Sequence, residues 1–100
     1  MIIIPEFIQM TEQDILNKKE PYESYSYCYF NQDTKNIKLH EEIVSKDPQS
    51  CYYFAKDIKC SNKEYLFKEV LKSGNLHFIK LFYNEVDFDK SKFETLMLFI

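Results

Sequence analysis

The apolar positions of this chain return on a fixed period. Adjacent apolar pairs occur at Ile15-Leu16, Ile43-Val44, Val70-Leu71 and Met97-Leu98, separated by 28, 27 and 27 residues. The last three pairs each follow an apolar residue four positions earlier, namely Leu39, Leu66 and Phe93. A four-residue step places both positions on one face of a helix, so a helix recurs about every 27 residues. A second series keeps the same period: Pro21, Pro48 and Asn75, preceded by Glu20, Asp47 and Gly74. Proline suits the first helical turn because its missing N–H has no intrahelical acceptor there. Gly74 is suited to ending the preceding helix in the left-handed conformation. Each position of this series therefore opens a second helix.

Counted from those starts, the third, fourth and seventh positions onward are Ser24, Tyr25, Cys28, then Cys51, Tyr52, Ala55, then Phe78, Ile79, Phe82. These form one inward stripe in which small and aromatic residues exchange places between repeats, so that adjacent layers interdigitate. The pattern predicts an all-α chain of about seven short helices. First helices lie near 10–19, 37–46, 62–73 and 89–100, and second helices near 21–31, 48–58 and 75–85. The architecture expected is a short α-solenoid or compact bundle of helical hairpins, ankyrin-like in appearance. It is a single domain over 1–100, with an arm at 1–9, hairpin repeats at 10–36, 37–61 and 62–88, and an unpaired helix at 89–100. Pro5 breaks the arm. Thr11 caps the first helix, with Asp14 standing where a full capping box has Glu or Gln. Tyr22 to Phe30 carries strand propensity, and the repeat register assigns it to helix.

Repeat arrays finish on a polar capping helix, whereas this chain reads Leu96-Met97-Leu98-Phe99-Ile100 at its end. Continuation of the chain, folding back onto the body, or a twofold contact between two chains would each cover that surface. The third option makes Leu96, Leu98 and Phe99 candidate homodimerisation residues.

Composition narrows the possible functions. The chain has 45% hydrophobic and 29% charged residues, a globular balance. It has one Gly, no Trp and no Arg, with abundant Lys, Ile, Tyr, Phe and Asn, as AT-rich coding produces. Without arginine there is no planar fork for phosphate or guanine. Net charge is -3, and residues 1–33 hold six acids against two lysines. That argues against non-specific nucleic-acid binding, which grows with the number of phosphates neutralised. Cys28, Cys51 and Cys60, with His40 and His77, fit no zinc spacing. An odd cysteine count with no secretory segment points to the cytoplasm, that of the host if the chain is phage-encoded. No apolar run reaches the length of a membrane span.

The stretch Tyr53-Phe54-Ala55-Lys56-Asp57-Ile58, followed by Val70-Leu71-Lys72-Ser73-Gly74-Asn75, resembles short helical repeats of AT-rich Gram-positive bacteria and their phages. There a Phe-Ala-Lys-Asp segment precedes a Ser-Gly-Asp or Ser-Gly-Asn turn. The likeness covers residues 43–100, and Tyr83 departs from it by standing where Ala is expected. Ser73 to Phe82 also looks like the opening of an ankyrin second helix, although an ankyrin period is about 33. The resemblance implies no activity. With the small size and acidity, it suggests a mobile-element accessory protein of the class that includes anti-CRISPR inhibitors of defence nucleases.

Candidate chemistry is sparse. His40, beside Glu41 and Glu42, and His77, after Leu76, read as surface histidines. Cys28 and Cys51 fall on the inward stripe, and Cys60 lies in a loop beside Lys59. One glycine cannot build a phosphate-cradling loop. Asp87 and Asp89 read as caps of the last helix. No enzyme activity, metal or cofactor is expected. The outward positions of the second helices read Tyr22, Ser26, Tyr29, then Gln49, Tyr53, Lys56, then Leu76, Lys80, Tyr83. Tyrosine gives a rigid contact area with a polar tip, so Tyr22, Tyr29, Tyr53, Lys56, Lys80 and Tyr83 form the expected partner-binding face. The expected function is a non-catalytic protein-binding module, with a defence nuclease complex as partner. A single-stranded nucleic-acid binder using Tyr and Lys, or a purely structural homodimer, are the alternatives.

Overall fold

Two layers of helices run side by side in the computed structural model, which describes residues 10–100. The arm predicted at 1–9 lies outside the described residues. In chain order the helices are α1 (Glu12–Lys18), α2 (Pro21–Phe30), α3 (Ile37–Val44), α4 (Pro48–Asp57), α5 (Lys63–Ser73) and α6 (Leu76–Glu85). A 3-10 turn (Ser91–Phe93) and a short α7 (Glu94–Met97) follow. Among the described residues there are seven α-helices and no strand. Consecutive helices pack as hairpins, and α2, α4 and α6 also pack on one another as a second-helix layer.

The helix ends explain why the chain turns where it does. Thr11 accepts from the Asp14 N–H, and the Asp14 carboxylate accepts in return from the Thr11 N–H, so the shorter Asp does close a capping box. Pro21 and Pro48 stand in the first turns of α2 and α4, as their fixed φ favours. Asn75 is the cap of α6 and not its first residue, because its side chain accepts from the Phe78 N–H. Gly74 ends α5 at φ +70.

Equivalent positions of successive repeats touch. Tyr22 bonds Gln49, 27 residues on. The Lys59 N–H donates to the Gln32 side chain across the same separation, and Lys92 reaches Glu64 across 28. The inward stripe is as expected: Ser24, Cys28, Cys51, Tyr52, Ala55, Ile79 and Phe82 are buried, with Tyr25 and Phe78 half-buried. Burial pushes the Cys28 and Cys51 thiols up to about 12, so both stay protonated core residues. Cys60 is exposed, as its loop position implied.

Three expectations are corrected. Leu39 is 47% exposed, and the inward place on α3 belongs to His40, which is fully buried and not a surface histidine. The cause is pairing: His40 Nε2 lies 3.1 Å from Glu12 Oε1, and the imidazole stacks on Tyr27 with ring centroids 5.4 Å apart. Glu41, beside it, is also buried, with its carboxylate accepting from the Asn62 N–H. The third correction concerns 89–100, which is a 3-10 turn and one α-helical turn, not a continuous helix. Asp89 caps the turn by accepting from the Ser91 N–H. So short a segment gains little from helix propagation, and its end is held by bonds from Leu98 to Thr95 and from Phe99 to Leu96.

Candidate functional site

The outward face of the second-helix layer is built by helical spacing. On α2, Tyr22, Tyr25 and Tyr29 fall three and four residues apart, which lines them along one side. Tyr53 on α4 joins that line because α2 and α4 pack side by side. The Tyr25 ring centroid is 6.0 Å from that of Tyr29 and 6.3 Å from that of Tyr53, both within the range of aromatic contact. Phe30 extends the strip edge-on from Tyr29 at 5.3 Å. Tyr22, Tyr29 and Tyr53 are 55%, 47% and 39% exposed.

Between α2 and α4 the strip dips into a pocket of about 230 Å³ lined by Tyr22, Tyr25, Ser50 and Tyr53. Its hydroxyls are largely committed. Tyr22 donates to Gln49 Oε1 at 3.0 Å, Tyr25 to Asp57 Oδ2 at 2.5 Å, and Ser50 to Asp47 Oδ2 at 2.9 Å. Burial, with the Asp57 carboxylate as second cause, raises the Tyr25 phenol well above its ordinary value. Tyr25 is therefore neutral at any physiological pH, and its ring is held in place by a charge-assisted bond.

The six expected contact residues do not form one surface. Tyr22, Tyr29 and Tyr53 lie together, while Lys56 is exposed but folds back on α4, with Nζ 3.3 Å from the Tyr52 hydroxyl and 5.5 Å from its ring centroid. Lys80 is exposed on α6. Tyr83 is half-buried against Phe67 and Phe88, with Lys90 Nζ 5.3 Å from its ring centroid. Tyr25 and Ser50 line the pocket although neither was expected on the outward face. Tyr25 stands at the boundary between inward and outward, a position that a two-state stripe assigns to one side.

A second groove, about 330 Å³, runs between α1 and α3 past Leu16, Leu39 and Ile43. Beside it the His40–Glu12 pair ties α1 to α3. Burial works to raise the Glu12 pKa, but hydrogen bonds from Thr34 and His40 outweigh it and hold the carboxyl below its ordinary value. Burial lowers His40, against the opposing pull of Glu12, and its Nδ1 is buried without a partner among the described residues. The repeat could have located this ring, since His40 stands 27 residues before Phe67, another buried ring. At the C-terminal end Leu96, Leu98 and Phe99 are exposed, the last two by 82% and 83%, while Phe93, Met97 and Ile100 turn inward.

No family model matches this chain, and no curated protein or solved structure matches it. Among the described residues no helix is long and apolar enough to cross a membrane.

Proposed function

We propose that this protein is a non-enzymatic protein-binding module whose contact surface is the tyrosine strip of α2 and α4. One observation carries the reading: Tyr22, Tyr29 and Tyr53, spread over two helices, lie with Tyr25 on one aromatic surface and are all exposed. Contiguous exposed aromatic surface of this kind costs solubility and marks contact sites. The resemblance of residues 43–100 to phage-associated helical repeats directs the partner towards a bacterial defence nuclease, which the chain would inhibit by occupying its surface.

The test measures binding of the chain to purified CRISPR effector complexes by biolayer interferometry. Tyr29→Ala and Tyr53→Ala weaken binding tenfold or more if these rings are anchors, with the helical circular dichroism unchanged. Parent-like affinity in both variants removes the face from consideration.

A second reading has its own observation. Leu96, Leu98 and Phe99 form an exposed apolar surface, and a twofold self-contact would cover it. Sedimentation equilibrium then shows a dimer for the parent and a monomer for Leu98→Lys; a monomeric parent ends that reading.

A further inference from the structure

We propose that the pocket between α2 and α4, lined by Tyr22, Tyr25, Ser50 and Tyr53, receives a lysine or arginine side chain, so that the tyrosine strip reads a basic segment of its partner. The inference rests on the reading of that strip as the contact surface and adds the chemistry of what it contacts.

The pocket offers ring faces and lone pairs more than donors. Tyr22, Tyr25 and Ser50 have already given their protons to Gln49, Asp57 and Asp47. What they present inward is therefore phenol and hydroxyl oxygen, with two carboxylates directly behind. Tyr53 adds a further ring on the solvent side. Tyrosine faces attract cations through the ring quadrupole, and an anion would meet neither a lysine nor an uncommitted donor on three of the four lining side chains. At about 230 Å³ the space suits one side-chain head group and is smaller than the roughly 300–1,000 Å³ typical of small-molecule sites.

The chain makes this pairing internally on two of its other tyrosines. On α4, Lys56 lies over Tyr52; beyond α6, Lys90 lies over Tyr83 and Phe88. Among the described residues no lysine sits over the Tyr22, Tyr25 or Tyr53 rings that line the pocket. Charge complementarity points the same way: the carboxylates of Asp57 and Asp47 accept from the lining residues Tyr25 and Ser50, and no lysine lines the pocket. A partner that supplies the cation completes an arrangement the fold already uses twice.

The probe is an eight-residue peptide alternating arginine and glycine, with citrulline and proline-glycine peptides of equal length as controls. The readout is the tyrosine ring resonances of the intact chain. The arginine peptide shifts Tyr22, Tyr25 and Tyr53 saturably, and the citrulline peptide, which keeps shape but lacks charge, binds at least fivefold more weakly. Tyr53→Ala lowers the affinity for the arginine peptide about fivefold, while Tyr53→Phe, which keeps the ring, retains it. Equal binding of the citrulline peptide, or preference for the proline peptide at the same rings, overturns the cation and leaves the contact surface standing. No shift with any peptide, together with parent-like affinity of Tyr29→Ala and Tyr53→Ala for the effector complexes, overturns both.

Discussion

The two ends of the helix stack are both rich in aromatic residues and use them in opposite ways. At the C-terminal end Phe67 is fully buried, with its ring centroid 5.2, 5.1 and 4.8 Å from those of Phe82, Phe88 and Phe93. Tyr83 closes that cluster from one side. At the other end Tyr22, Tyr25, Tyr29 and Tyr53 make comparable ring contacts but only along a surface. The cause lies in what covers the second-helix layer. Residues 88–100 fold back over α5 and α6 and supply Phe88, Phe93, Met97 and Ile100 to the core, whereas the outward face of α2 and α4 has no such cover among the described residues. Aromatic content by itself therefore does not tell a core from a contact surface.

The largest test of this contrast is Phe67→Ala. Removing a ring at the centre of the closed cluster should cost about 3–5 kcal/mol, a large part of the stability of a small domain, read as the urea midpoint. Tyr83 and Tyr53 give a finer comparison. Tyr83→Ala, which loses packing against Phe67 and Phe88, should cost about 1–3 kcal/mol. Tyr53→Ala should stay under about 1 kcal/mol. Equal losses at the two sites would erase the distinction between the closed cluster and the open strip.

Smaller still is a pH effect at the α1–α3 contact. His40 is lowered by burial from 6.5, so below that value the unfolded chain takes up a proton more readily than the folded one. Its contribution to stability is complete above pH 6.5 and is lost as pH falls from there through the folded value. Glu12, lowered from 4.5, loses its contribution only at more acid pH. Glu41, raised from 4.5 chiefly by burial, acts in the opposite sense because the folded chain takes up that proton first. The difference between the parent and His40→Gln isolates the histidine: urea midpoints measured from pH 7.5 to 5.5 should fall more steeply in the parent. Parallel curves would show that His40 does not titrate differently on folding. The smallest effect is expected at Leu98, which is 82% exposed; Leu98→Lys should shift monomer stability by no more than about 0.5 kcal/mol.

Much of the fold was legible because the period of 27 residues leaves little freedom. Helix starts at Pro21 and Pro48, the stop at Gly74 and the inward positions Cys28, Cys51 and Phe82 all follow from spacing and backbone chemistry. Leu39 and His40 were exchanged because hydrophobicity ranks leucine inside. That ranking yields where a polar ring finds a carboxylate and a stacking partner, and neither Glu12 nor Tyr27 is near His40 in the sequence. The terminal segment was overextended because Phe93 and Met97 have helical spacing, which does not specify how far beyond one turn a helix continues.

The candidate site divides in the same way. The outward positions Tyr22, Tyr29 and Tyr53 are consequences of local periodicity, so the sequence by itself determined that tyrosines would face out of the second helices. Which of them meet depended on how α2 and α4 pack: only that contact brings Tyr25, Ser50 and Tyr53 around one pocket and turns the Tyr22 and Tyr25 hydroxyl protons towards Gln49 and Asp57. Tyr83, at an equivalent outward position, is half-buried because Phe88, a residue outside the repeat pattern, packs against it. Spacing along a helix sets direction, because backbone geometry is local. The neighbours a side chain finds in that direction are set by long-range packing, and it is this packing that separates the open strip from the closed cluster.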